Sequence, residues 1–284
     1  MSAAAASDLA AAPALDGFTA ELFRHGDTEK VVYWSARGRP DAPGPGVVVC
    51  HEIPGITPAV HAFARRLVDA GFSVAMPWLF GDPGRPLTVG YNVREMARAC
   101  ISREISILAA HRSSPITDWI RALCRALHAR VGGPGVGVIG MCISGNFGIS
   151  LMLEPSVLAP VLSQPSLPMP FVPGGRAGLH ASPAELAAAR ARMAEGVGLL
   201  ALRFTADRLC TRARFDALAR ELPGVELIEI DSGPGNAHGI SRFAHSVVTN
   251  DLVDEVGHPT HAALERVLAF FREHLGRERL GAAP

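Results

Sequence analysis

The residues best suited to covalent chemistry lie in one short turn, which reads Gly140-Met141-Cys142-Ile143-Ser144-Gly145. This turn follows the apolar run 136–139 and precedes a segment with helical spacing. A nucleophile at a strand-to-helix turn has a strained backbone, so the residues two positions away must be small, as Gly140 and Ser144 are. A thiol at the start of a helix gains thiolate character and attacks acyl carbon readily. The pattern predicts that Cys142 is a nucleophile; a buried structural cysteine is the alternative.

A nucleophile of this kind needs a base and an acid that orients the base, in the chain order nucleophile, acid, histidine. Asp207 comes three residues after the apolar run 198–204 and is the predicted acid, with a helix cap as the alternative. Two histidines, His238 and His245, follow the next apolar run, 225–230. We prefer His245 as the base because it stands at a better distance before the final helix, and His238 stays open.

A loop after the apolar run 47–50 contains two further candidates, Glu52 and Ile53. An oxyanion hole at such a site takes one main-chain N–H from the residue after the nucleophile, which is Ile143, and one from the loop after an earlier strand. We expect Ile53 to supply the second. A carboxylate aimed at a thiol changes how the thiol proton is held, which would give Glu52 a role; a solvated turn residue is the alternative.

These candidates need a framework that brings distant loops together, and the apolar pattern predicts one. Short apolar runs bounded by Gly and Pro read as buried strands, at residues 47–50, 72–76, 136–139, 157–162, 198–204 and 225–230. Segments with helical spacing alternate with them, including residues 59–70, 91–111, 117–129 and 146–153. The alternation predicts an α/β fold with a mostly parallel central sheet and helices on both faces. Ligands bind beyond the carboxyl ends of such strands, where the candidates lie.

The chain shows no internal repeat and no flexible interdomain linker. We therefore expect a flexible N-terminal segment over residues 1–16 and a single domain over residues 17–284. The Pro-rich segment 164–173 is expected to form a loop over the carboxyl edge of the sheet.

Composition excludes several classes of partner. The 284 residues include 27 basic and 27 acidic side chains, which leaves no basic surface with which to bind nucleic acid or an anionic membrane. No apolar run approaches the roughly 18 residues that a membrane helix needs. The N-terminus has no positively charged opening and is interrupted by Asp8, unlike a signal peptide, so we expect a cytoplasmic protein. The five cysteines form no Cys-x-x-Cys pair, which predicts reduced thiols and no structural zinc.

Two motifs resemble those of the dienelactone hydrolase family of α/β-hydrolases. Glu52-Ile53-Pro54-Gly55 is similar to the family's Glu-x-x-Gly loop, and the turn at residues 140–145 is similar to its Gly-x-Cys-x-Gly-Gly motif, with Ser144 in place of one Gly. The resemblance covers residues 47 to about 275. It implies a triad of Cys142, Asp207 and His245, with Glu52 hydrogen-bonded to the resting thiol, and it implies no metal or organic cofactor.

In this family, arginines hold a substrate carboxylate. This sequence does not have arginines at the same spacing. The nearest arginine after the Pro77-Trp78-Leu79-Phe80 segment is Arg85, and only His238 has an arginine, Arg242, four residues later. Arg85, Arg103 and Arg242 are the candidates for binding a substrate carboxylate.

The function predicted is hydrolysis of a small-molecule ester or lactone through a thioester with Cys142. Two alternatives remain open: a thioesterase or acyltransferase on the same fold, and a non-catalytic α/β-hydrolase-like protein that binds a ligand. We expect a monomer or a small homo-oligomer.

Overall fold

The computed structural model describes residues 3–35, 44–100, 115–166 and 177–276. The strands of these residues form one sheet in the order β1-β2-β4-β3-β5-β6-β7-β8. Their bounds are β1 Phe18–His25, β2 Thr28–Ser35, β3 Gly46–Cys50, β4 Ser73–Pro77, β5 Val136–Met141, β6 Val157–Ser163, β7 Leu200–Phe204 and β8 Glu226–Ile230. The first two strands are antiparallel to their neighbours, and the pairs from β4 to β8 are all parallel. The prediction of a mostly parallel sheet is confirmed.

Helices cover both faces of this sheet. They are α1 Ala3–Ala11, α2 Pro58–Asp69, α3 Val89–Cys100, α4 Pro115–Val131, α5 Phe147–Leu151, α6 Pro183–Ala194, α7 Arg212–Glu221 and α8 Pro259–Leu275. Alternate residues of β3 show the two faces. Val47 and Val49 pack in one core with side chains of α2 and α8, whereas Val48 and Cys50 pack in a second core with side chains of α4. Because both faces are buried, strands β3 to β6 are nearly continuous apolar runs, whereas β8 at the edge of the sheet is only partly buried and contains two glutamates.

The N-terminal part differs from the expectation. Residues 1–16 were expected to be flexible, but α1 occupies Ala3–Ala11, Ala5 is buried and Leu15 belongs to the core. The β1–β2 hairpin was not predicted, because β1 is only partly buried and mixes apolar and polar residues. Two sequence-based expectations fall partly outside the described residues, namely the helical segment 91–111 beyond residue 100 and the Pro-rich loop 164–173 beyond residue 166.

The parallel strands bring five loops to one edge of the sheet. Glu52 follows β3, Cys142 follows β5, Ser166 follows β6, Asp207 follows β7 and His245 follows β8. Since carboxyl ends of parallel strands meet at one edge, residues far apart in the chain become neighbours there. Within the described ranges, no helix has the length and apolar character needed to span a bilayer.

Candidate active site

Cys142 lies in a strained strand-to-helix turn, as predicted from the small residues Gly140 and Ser144 on either side of it. It begins a short 3₁₀-helix, Cys142–Asn146, directly after β5, and its φ of 54° lies in the left-handed region that side chains disfavour. A Cβ at Gly140 would lie 2.2 Å from the main-chain oxygen of Ser144, and a Cβ at Gly145 would lie 2.9 Å from Cα of Pro165. The absence of a side chain at both glycines is therefore what lets the turn close.

Ser144, which replaces a family glycine, ties this turn to the neighbouring strand. Its buried hydroxyl accepts the main-chain N–H of Met141 at 2.9 Å and donates to the carbonyl of Cys50 at 2.7 Å. Cys50 ends β3, which pairs with β5. The substitution therefore fits the turn and adds a hydrogen bond between two strands.

The structure joins His245 to Asp207. The distance from Nδ1 of His245 to Oδ2 of Asp207 is 2.7 Å, and the other carboxylate oxygen accepts the main-chain N–H groups of Leu209 and Cys210 at 2.8 and 3.2 Å. Because a carboxylate only accepts hydrogen bonds, Nδ1 carries the proton. Nε2 of His245 is buried and, apart from Cys142, has no hydrogen-bond partner among the described residues, which leaves this nitrogen to exchange a proton with the thiol.

The loop carrying His245 is held by Asp251. The main-chain N–H groups of His245 and Ser246 both donate to Oδ2 of Asp251 at 2.8 Å. The base is therefore fixed at its main chain as well as at its ring.

Electrostatics pair His245 with Cys142. Burial alone would lower the pKa of His245, but the negative charges of Cys142 and Asp207 and the hydrogen bonds to them outweigh burial and hold this pKa well above its usual value. His238 takes no part in this pair: it is exposed and its ring lies edge-on to His258, with the centroids 5.2 Å apart.

Glu52 lies at the site, but its carboxylate oxygens accept hydrogen bonds from side chains other than that of Cys142. Its Oε2 accepts from Ser246 Oγ at 2.7 Å and from Gln164 Nε2 at 3.1 Å. Its Oε1 accepts from Asn250 Nδ2 at 3.1 Å and from Thr249 Oγ1. The resemblance implied a bond from Glu52 to the resting thiol, and the structure corrects this: both carboxylate oxygens are occupied by other donors. Glu52 therefore joins the loops after β3, β6 and β8.

The sulfur of Cys142 contacts Ser166 instead. Ser166 Oγ lies 3.2 Å from Cys142 Sγ, and Ser166 is fully buried. The sequence predicts that Ser166 lies in a Pro-rich loop, and it suggests no role for this residue. Its place two residues beyond a strand-end glutamine, at the edge where ligands bind, is the signal that could have found it.

The predicted oxyanion residues adjoin the thiol. Ile53 and Ile143 form a small buried cluster with Cys142, and Phe80 and Met96 pack against it. Proline at position 54 leaves the N–H of Ile53 in place. Apolar side chains therefore form one part of the surroundings of the sulfur, beside the hydroxyl of Ser166 and the ring of His245.

The two candidate arginines within the described residues, Arg85 and Arg242, have their contacts elsewhere. Arg85 donates to Asp82 at 2.8 Å and lies over the Tyr91 ring, 4.3 Å from its centroid. Arg242 is exposed and lies over the ring of Phe243, and Arg103 is outside the described residues. Among the described side chains, no three His, Cys, Asp or Glu residues stand close enough together to hold a metal ion.

A parallel sheet with helices on both faces and a cysteine at a strained turn, beside a histidine held by an aspartate, defines an α/β-hydrolase fold and site. The sequence profile of the dienelactone hydrolase family matches residues 35–275, so the chain belongs to that family. A comparison with curated proteins gives no match.

Solved structures share this fold at low sequence identity. A dienelactone hydrolase from Anabaena variabilis is 15% identical, with a TM-score of 0.57 over 91% of this chain and 98% of its own. A dienelactone hydrolase-like promiscuous phosphotriesterase from metagenomic libraries is 19% identical, with a TM-score of 0.56 over 92% of this chain and 100% of its own. A thermostable esterase from Pseudomonas putida is 14% identical, with a TM-score of 0.52 over 96% of this chain and 88% of its own.

Proposed function

We propose that this protein hydrolyses carboxylic esters or lactones, with Cys142 as nucleophile, His245 as general base and acid, and Asp207 as the residue that orients His245. The observation that carries the proposal is the buried, otherwise unbonded Nε2 of His245 beside Cys142, with Nδ1 fixed on Asp207 at 2.7 Å. This is the arrangement that nucleophilic acyl transfer needs.

The first half of the reaction forms a thioester. The thiolate of Cys142 attacks the carbonyl carbon, and the carbonyl oxygen becomes an oxyanion that accepts hydrogen bonds from the main-chain N–H groups of Ile53 and Ile143. Nε2–H of His245 then donates its proton to the departing alkoxide as the carbon–oxygen bond breaks. One such oxyanion donor contributes roughly 3 kcal/mol to the lowering of the barrier.

The second half releases the acyl group. Nε2 of His245, now neutral, takes a proton from water, and the hydroxide oxygen attacks the thioester carbonyl. The carbon–sulfur bond breaks, which regenerates the thiolate of Cys142 beside the imidazolium of His245 and yields a carboxylic acid. In this proposal Glu52 accepts no proton in either half of the reaction. Its role is to hold three loops together.

The apolar cluster beside the sulfur supports a proposal for the substrate class. A negatively charged acyl group placed among Ile53, Ile143, Phe80 and Met96 would lose its hydration without gaining a cation from those side chains. We therefore propose uncharged acyl groups as the preferred substrates. A thioesterase would use the same residues, and thioesters of the same acyl group belong in the test.

Hydrolysis of two matched esters tests the proposal. We expect p-nitrophenyl butyrate to be cleaved, with kcat/KM at least about tenfold higher than for the ester in which a carboxylate replaces the terminal methyl group, because an unpaired carboxylate is costly to desolvate. Release of p-nitrophenolate measures both rates. Faster cleavage of the charged ester would contradict the substrate class, and cleavage of neither ester nor of the matched butyryl thioester would contradict the proposed activity.

A further inference from the structure

Ser166 is fixed by three contacts, two with Cys142 and one with Asn146. Its main-chain N–H donates to the carbonyl of Cys142 at 3.0 Å, its own carbonyl accepts Nδ2 of Asn146 at 2.8 Å, and its hydroxyl oxygen lies 3.2 Å from Cys142 Sγ. Two of these bonds use the main chain, so the position of the hydroxyl does not depend on the side chain alone. The contact with the sulfur is therefore built into the loop.

A buried arginine supports the same loop. Arg214 Nη1 donates to the carbonyl of Pro165 at 2.8 Å and to Oδ1 of Asn146 at 3.2 Å. Arg214 is 2% exposed, and Pro165 packs on Gly145 so closely that no Cβ would fit between them. The loop after β6 and the turn that carries the nucleophile are thus one packed unit.

The chemistry of the pair gives the hydrogen bond a direction. The form of Cys142 that attacks a carbonyl carbon in the proposed reaction is a thiolate, which can only accept a hydrogen bond, so in that form the hydroxyl of Ser166 is the donor. Sγ of Cys142 is the hydrogen-bond partner that the structure gives this hydroxyl. Glu52 cannot compete for the sulfur, because its two oxygens already accept four side-chain donors.

We propose that Ser166 is a further catalytic residue, whose hydroxyl donates a hydrogen bond to the thiolate of Cys142 and holds the sulfur for attack in place of a contact from Glu52. The inference rests on the proposed function, in which Cys142 is the nucleophile. The same bond stabilises the thiolate when it leaves the thioester carbon. A hydrogen bond to a charged group is worth more than one to a neutral group, so loss of the hydroxyl raises the energy of the thiolate more than that of the thiol.

The pH dependence of alkylation tests this directly, because iodoacetamide reacts with the thiolate. The alkylated peptide containing Cys142 is quantified by mass spectrometry across a pH series. Burial raises the pKa of Cys50 to about 12 and also raises the pKa of Cys124 and Cys210, so these thiols react slowly at neutral pH. We expect Ser166→Ala to alkylate about tenfold more slowly near pH 7 and to approach the wild-type rate at high pH, as loss of a charged-group hydrogen bond predicts.

Two controls separate the effect of losing the hydroxyl from the effect of changing the volume of the side chain. Ser156→Ala removes a buried hydroxyl at the opposite end of β6, where it donates to Glu154 at 3.0 Å, and should leave the profile of Cys142 unchanged. Ser166→Thr and Ser166→Val have side chains of matched shape, and only the Thr variant should keep the wild-type profile. Melting temperatures identify any variant that is unfolded.

The outcomes distinguish this inference from the proposed activity. Wild-type profiles in both Ser166→Ala and Ser166→Val would overturn the role of Ser166, even if the protein hydrolyses esters. A shifted profile in both, restored by Thr, supports that role even if no ester is cleaved, because alkylation needs no substrate.

Discussion

Cys142→Ala is expected to lower kcat for p-nitrophenyl butyrate by roughly 10⁵-fold or more, a loss of the size caused by removing the nucleophile of a catalytic triad. Alanine removes only the sulfur, which leaves the bond between His245 and Asp207 and the sheet intact. Initial rates measure the effect, and the melting temperature should stay close to the wild-type value because the deleted atom is at the edge of the core.

The matched control is Cys124→Ala. Cys124 is a fully buried thiol on α4, in the core on one face of the sheet, and it is not part of the site. Its removal should cost stability but leave kcat near the wild-type value. Equal activity in Cys142→Ala and Cys124→Ala would rule out Cys142 as the nucleophile.

His245→Gln is expected to lower kcat by roughly 10⁴-fold, because a triad without its base loses both proton transfers. Glutamine cannot take a proton from water or return it to the leaving group. The measurement is the kcat ratio between this variant and His238→Gln, which changes the other histidine of the same region. His238 is exposed, and the Asp207 carboxylate is bonded to His245, so the His238 variant should keep nearly full activity.

The reverse pattern would contradict the assignment of the base. If His238→Gln lost activity and His245→Gln kept it, His238 would be the base. Its spacing from Arg242, four residues later, would then have indicated the base correctly. A loss in both variants with unchanged melting temperatures would indicate that the two histidines act together.

The parallel part of the sheet and the triad order could be predicted from local patterns. Strands β3 to β7 are largely apolar because they are buried, and residues that follow such strands meet at one edge. This is enough to place Cys142, Asp207 and the loop with both His238 and His245 at one edge, but it does not choose between the two histidines. The β1–β2 hairpin could not be found in this way, because β1 is only partly buried and has no continuous apolar run.

The surroundings of Glu52 could not be predicted, because its partners are distant in the chain. Gln164 is 112 residues away and Asn250 is 198 residues away, and no local pattern records which side chains a buried carboxylate meets. The contact of Ser166 with Cys142 spans 24 residues and depends on the packing of Pro165 against Gly145. In both cases the hydrogen bonds follow from tertiary packing rather than from residue spacing.

The most direct test of the nucleophile is to label the protein with an aryl carbamate and to locate the label by peptide mass spectrometry. A carbamoyl group is transferred like an acyl group but leaves slowly, so the intermediate accumulates. We predict one carbamoyl group per chain, on Cys142, and none in Cys142→Ala. A carbamoyl group on another residue, or no label in a preparation that hydrolyses p-nitrophenyl butyrate, would contradict covalent catalysis by this thiol.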